Sequence, residues 1–183
     1  MVNLNCSPFP LITTERLVLR QLTSTDAIDI AALRSDEKVN KYLDRQAPTS
    51  IDEANRFIDK INTNINNNEC FYWAIALKNN NSLIGTICYW NIVPEDDTAE
   101  IGYELLPGFQ GKGIMQEALS AIIEFGFNGI KLQTILALLT ADNEKSIKIL
   151  EKNNFKRDTV SKYKIAESES FVNMAVYFLQ KKS

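Results

Sequence analysis

The stretch from residue 100 to residue 127 constrains this chain more than any other. Residues 101–106 alternate as a short strand, Pro107-Gly108 breaks it, and Gln110-Gly111-Lys112-Gly113 follows. Ile114, Ala118, Leu119, Ile122 and Ile123 then recur at helical spacing. A strand that enters a helix through a glycine loop aims unpaired backbone N–H groups at an anion, and the helix dipole adds a fraction of a positive charge there. Two familiar phosphate motifs do not fit. The dinucleotide fingerprint needs glycine at position 116, which is Gln116, and the P-loop needs Ser or Thr after Lys112, where Gly113 stands.

Composition removes several kinds of chemistry. The chain has no histidine, which excludes Ser-His-Asp and Cys-His catalysis and histidine metal sites. Proton transfer falls to carboxylates, tyrosine, lysine, cysteine, a terminus or water. Cys6, Cys70 and Cys88 form no Cys-x-x-Cys pair, so they read as reduced thiols rather than as a zinc or redox site, and no metal is expected. A net charge of −3 argues against a nucleic-acid partner. No apolar run reaches membrane-spanning length and the N-terminus lacks a signal-peptide pattern, so a cytoplasmic protein with no membrane partner is expected.

Along the chain, residues 1–13 read as an extended lead-in, with Pro8 and Pro10 blocking helix. Residues 14–183 read as one domain large enough for a substantial core. A strand is expected at 17–22, helices from 27 and over 36–42, and a helix from Ser50, whose spacing to Glu53 suits a capping box. Residues 71–77 and 83–92 form a hairpin, with Gly85 marking a bulge or close approach. A strand at 134–139, a helix at 143–153 and closing strands at 155–163 and 171–179 complete the pattern. The fold class is α/β (α+β), a mixed sheet of six or seven strands with helices on both faces.

The order of strand, Gln110-Gly111-Lys112-Gly113, helix, strand, Asp142-Asn143-Glu144-Lys145-Ser146, helix and Asn154-Phe155 resembles the GNAT superfamily of N-acetyltransferases. The loop follows that family's pattern from Gln110 to Gly113 and departs from it at Met115. Gly-Lys-Gly-Ile-Met, and the opening Thr14-Glu15-Arg16-Leu17-Val18-Leu19-Arg20, are similar to the RimJ/RimL-type branch, which acetylates ribosomal-protein N-termini. The resemblance implies a mainly antiparallel sheet and acetyl-CoA as co-substrate. It implies that backbone groups of Glu104, Leu105 and Leu106 pair with the pantetheine arm. N–H groups of Gln110, Gly111, Lys112, Gly113, Ile114 and Met115 would hold the pyrophosphate, with Asn143 also at the cofactor. A plain helix cap is the alternative role for Asn143.

Direct transfer needs a base for the amine. Glu100, Gly102 and Glu104 share one strand face, while Ile101, Tyr103 and Leu105 share the other. The resemblance implies Glu100 as base, with Glu104 in reserve and an N–H near Leu105 for the developing oxyanion. The family's acid tyrosine would fall at Leu150, which leaves the acid open, with Ser146, water and the phenols Tyr103, Tyr89 and Tyr163 as candidates. Tyr42, Arg45, Tyr89 and Trp90 are candidates to line the acceptor pocket. The acceptor implied is a primary amine, foremost the N-terminus of a ribosomal protein. A small amine (polyamine, amino acid or antibiotic) and a non-catalytic acyl-CoA-binding relative are the alternatives, and monomer and homodimer both stay open.

Overall fold

Residues 71–77 are apolar at every position, and all but the last are buried. A strand with two apolar faces must lie inside a sheet covered on both sides. This strand does so in the computed structural model, which describes residues 2–4, 7–43, 45–48, 50–160 and 173–182. The strands are β1 (Ile12–Thr13), β2 (Leu17–Arg20), β3 (Phe71–Leu77), β4 (Leu83–Val93), β5 (Thr98–Leu105), β6 (Thr134–Thr140), β7 (Lys156–Arg157) and β8 (Met174–Gln180). They form one eight-stranded sheet in the order β1-β2-β3-β4-β5-β6-β8-β7. Every pairing is antiparallel except β5 with β6. The sheet is slightly larger than expected because β1 and β7, two residues each, extend its edges. Of the two expected closing strands, residues 161–163 and 171–172 lie outside the described residues.

Five helices cover the sheet: α1 (Ala27–Ser35), α2 (Glu37–Asn40), α3 (Ile51–Asn66), α4 (Ile114–Glu124) and α5 (Glu144–Lys152). Side-chain alternation divides the core into two layers. Trp73, Ile75, Ile87, Tyr89, Ile101 and Ile135 pack against Ala118, Leu119 and Ile122 of α4 and Leu150 of α5. On the opposite face Tyr72, Ala74 and Cys88 pack against Ile30 and Leu33 of α1 and Ala54 and Ile58 of α3. The Ser50 hydroxyl accepts from the Glu53 N–H and starts α3. Gly85 answers both expectations, since the register shifts opposite it and an added Cβ would lie 2.3 Å from the Glu104 carbonyl oxygen.

One feature of the topology positions the site. β5 and β6 pair only at Thr98↔Thr134, Ala99↔Ile135 and Glu100↔Leu136. Beyond that both strands continue, β5 to Leu105 and β6 to Thr140, without pairing to each other. The sheet therefore splits in its middle, leaving an open edge along the second half of β5.

Candidate active site

Backbone alternation decides which groups face the split. The Leu106 N–H donates to the Ile84 carbonyl across β4 (2.9 Å), and its carbonyl accepts from the Phe109 N–H (2.9 Å). Groups two residues apart on a strand point the same way, so Glu104 also turns its backbone toward β4, while Tyr103 and Leu105 turn theirs to the open edge. Of the backbone groups expected to meet an added strand, those of Glu104 and Leu106 are therefore turned to β4, and Leu105 is the one that faces the open edge, together with Tyr103. The Leu105 carbonyl already accepts from the Gln110 side chain (2.9 Å), so its N–H is the group left to offer.

At the end of the split lies the glycine loop. Gly111 and Gly113 take φ of +74° and +75°, the left-handed region that glycine enters without strain. No hydrogen bond among the described residues uses the N–H groups of residues 111–116. The first turn of any helix leaves such donors, and the loop adds two more. The Gln110 N–H is spent instead on the Pro107 carbonyl (3.2 Å), so Gln110 serves as a brace between β5 and α5, its side chain also meeting Lys145 (3.2 Å). Ile114 and Met115 bury their side chains in the core and present only their backbone. Lys112 is exposed, its ammonium 5.7 Å over the Phe109 ring.

The two carboxylates on β5 differ in their surroundings. Arg45 holds Glu104 through both oxygens, at 2.5 and 2.9 Å, and both side chains are largely buried. Glu100 is half-buried and accepts from the Asn91 amide (2.9 Å). Burial pushes its carboxyl up, and hydrogen bonds from Asn91 and Trp90 offset part of that rise. Asn91 reaches it because β4 bulges after Trp90, with Asn91 in a left-handed conformation. Glu100 thus keeps a raised proton affinity without an ion-pair partner among the described residues, whereas Glu104 is fixed as the counter-ion of Arg45.

On the α5 side, Asn143 caps the helix, its side chain accepting from the Ser146 N–H (3.2 Å). Leu150 is core. The Tyr103 hydroxyl is buried without a well-formed hydrogen bond. Burial raises its proton affinity, and the adjacent Ser146 side chain lowers it in part. Tyr89 is not at the site: it is fully buried on the α4 face, donating to the Ile122 carbonyl (2.9 Å). Trp90 is 47 % exposed on the opposite face, with its ring against Gly102. Tyr163 lies outside the described residues. Among the described residues no acidic or thiol cluster is placed to hold a metal, and no helix is long and apolar enough to cross a membrane.

The acetyltransferase (GNAT) domain family profile matches residues 16–156. The chain is a GNAT acetyltransferase. This acetyltransferase is 31 % identical over 173 residues to the uncharacterized N-acetyltransferase YoaA of Bacillus subtilis, covering 94 % of this chain and 98 % of that one. A shorter match to the ribosomal-protein-serine acetyltransferase of Escherichia coli is 37 % identical over 73 residues, or 40 % of this chain and 41 % of the other. Among solved structures, RimL, the ribosomal L7/L12 alpha-N-protein acetyltransferase in complex with coenzyme A, shares the fold with a TM-score of 0.78 at 21 % identity, covering 93 % of this chain and 98 % of that one. One residue beside the candidate site carried no sequence signal of its position: Asn91 read as part of the strand at 83–92.

Proposed function

We propose that the protein moves an acetyl group from acetyl-CoA to a primary amine, foremost a protein N-terminal α-amine, in a ternary complex. The observation that carries this is the run of unpaired N–H groups at residues 111–116, at the end of an open strand edge that has a half-buried carboxylate on the same strand. The donors fit a pyrophosphate, and the edge fits an extended amide-bearing arm. Acetyl-CoA would supply the activated acyl group.

The residues divide the remaining work. Leu105 offers its N–H to the carbonyl oxygen on which charge develops. Glu100, with its proton affinity raised by burial, takes a proton from the amine through water. Ser146, backed by the buried Tyr103 hydroxyl, returns a proton to the departing thiolate. Asn143 keeps Ser146 in place through its cap, and its side-chain NH2 stays available to the cofactor. Glu104 is held by Arg45 and shapes the acceptor side. The similarity to ribosomal-protein acetyltransferases supports the N-terminal acceptor.

The test is thiol release from acetyl-CoA with peptides that copy protein N-termini, alongside polyamines and amino acids. Turnover of the peptides, lost on blocking the α-amine, is the expected result. Turnover confined to small amines would overturn the acceptor assignment, and no turnover with any amine would overturn the whole reading.

A further inference from the structure

The face of the sheet beneath α1 and α3 carries a charge imbalance that the transfer reaction does not use. Across the strands, Tyr72 pairs with Cys88, Cys88 with Gly102, and Thr86 with Glu104. Above this floor stand two arginines. Arg45 engages Glu104 with both terminal nitrogens and donates from Nε to Asn40 Oδ1 (2.8 Å). The Asn40 amide donates in turn to the Arg34 carbonyl (2.7 Å), tying the two arginine segments together. The Arg34 guanidinium lies 4.0 Å from the centroid of the Phe57 ring, which packs edge-on to Tyr72 (5.9 Å). Among the described residues the Arg34 guanidinium makes no hydrogen bond and no ion pair.

Among the described residues, Glu104 is thus the carboxylate that faces both guanidiniums, and Arg45 already holds it. Arg34 feels the shortfall: burial lowers its proton affinity, Arg45 lowers it further, and Glu104 only opposes them. Arginine stays charged throughout the accessible pH range, so the excess positive charge persists. A half-buried charge without a counter-ion among the described residues is costly to keep for stability alone. The guanidinium lies over the Phe57 ring and its N–H groups are used by no described residue, so they can receive a carboxylate or phosphate. Glu104 immediately precedes Leu105, whose N–H faces the open edge, so this cluster adjoins the place where the acceptor amine must arrive.

We propose that Arg34 and Arg45 seat an oxyanion group, a carboxylate or phosphate, carried by the acceptor close to its amine. The inference rests on the acetyltransfer reading and narrows its acceptor. Acidic N-terminal peptides and free amino acids fit, whereas a polyamine brings a second cation to an already positive cluster.

The test compares matched acceptors in the thiol-release assay. One pair is a peptide amide with glutamate or glutamine as second residue, and the other is free serine against serinamide, which separates a side-chain anion from an α-carboxylate. The wild-type protein should favour the anionic member of at least one pair by about ten- to hundredfold in kcat/KM, mainly through KM. Arg34→Gln should bring that ratio close to one, and Arg34→Lys should restore part of it. Equal use of both members by the wild-type protein would overturn the proposal, whatever the stability of the variants, while leaving acetyltransfer intact. If no amine is turned over, the acetyltransfer reading fails by itself. Calorimetry of N-acetylglutamate added to the CoA-saturated protein then decides the subsite: binding that Arg34→Gln abolishes upholds it, and no binding overturns it.

Discussion

Arg16, at the entry to β2, and Glu117, on the first turn of α4, fasten the start of the sheet to the start of α4. Arg16 donates to Glu117 from Nε (2.6 Å) and from its backbone N–H (2.8 Å), and Thr14 Oγ1 donates to the same carboxylate (2.5 Å). One further Arg16 nitrogen donates to the Lys112 carbonyl (3.0 Å). A single carboxylate thus collects three donors, while the arginine also holds the loop whose N–H groups face outward.

The first prediction concerns that clamp. Glu117→Ala strands the Thr14 hydroxyl and the Arg16 N–H, which should cost about 1–2 kcal/mol in denaturant unfolding, the exposure of Arg16 keeping the loss small. Acetyl-CoA affinity should fall more than the turnover of bound substrate. Burial alone would raise the Glu117 carboxyl, but hydrogen bonds from Thr14 and Arg16 hold it below its ordinary value. Its contribution is therefore complete above the unfolded carboxylate range, near about pH 4.3, and disappears as pH falls through the lowered folded value. Glu117→Gln should flatten that acid limb of stability. An unchanged limb would remove the clamp from the account.

A second prediction separates two glycines of the same loop. Gly113 has φ of +75°, and an added Cβ would meet only Arg16 Nη2, at 3.5 Å. Gly113→Ala should therefore cost about 1–2 kcal/mol through backbone strain alone, and it should weaken acetyl-CoA binding measured by calorimetry. A Cβ on Gly108 would meet nothing within 4 Å, and its backbone is not left-handed. Gly108→Ala should change stability by less than about 0.5 kcal/mol. Equal effects of the two substitutions would mean that the left-handed turn does not shape the site.

Local periodicity made most of the architecture legible. α3 begins at Ile51 after its Ser50 cap, and β3 occupies Phe71–Leu77 as the apolar run predicts. The tight glycine turn at the start of α4 was legible because φ freedom and helix position are local properties. Long-range pairing was not legible. Arg45 and Glu104 are 59 residues apart, and nothing near either predicts that the carboxylate is held fast. The same limit affected Tyr89, which looked able to line a pocket. Strand parity turns it toward α4, where the Ile122 carbonyl accepts its hydrogen bond. The order of donors along β5 also depended on pairing, because only the Leu106 bond to Ile84 shows which residues face the split.

The third prediction is a pH profile. Glu100 must be ionised to accept a proton, and burial raises its carboxyl. The rate should therefore rise with pH through an apparent value above the ordinary glutamate figure of about 4.3. Glu100→Gln should remove that limb and lower kcat/KM by about 10²- to 10⁴-fold, with acetyl-CoA affinity retained. Asn91→Ala removes the amide that favours the charged carboxylate, so it should shift the limb to higher pH. A limb that survives Glu100→Gln unchanged would transfer the base role elsewhere.

The last prediction sets stability against activity at Tyr103. Its hydroxyl is buried without a well-formed partner, and such a group costs free energy that a ring of the same shape avoids. Tyr103→Phe should accordingly hold or raise the melting temperature, by about 2–4 °C if about 1 kcal/mol is recovered. Burial keeps the phenol protonated across the working pH range, and Ser146 is the polar side chain that interacts with it. If the two hydroxyls deliver one proton together, Tyr103→Phe and Ser146→Ala should each lower kcat with little change in KM. The double variant should then be no slower than the slower single one, because residues that act as a unit are not additive. Fully multiplicative losses would separate the two hydroxyls. A Tyr103→Phe variant that gains stability at undiminished kcat would leave the tyrosine as packing and Ser146 as the sole candidate acid.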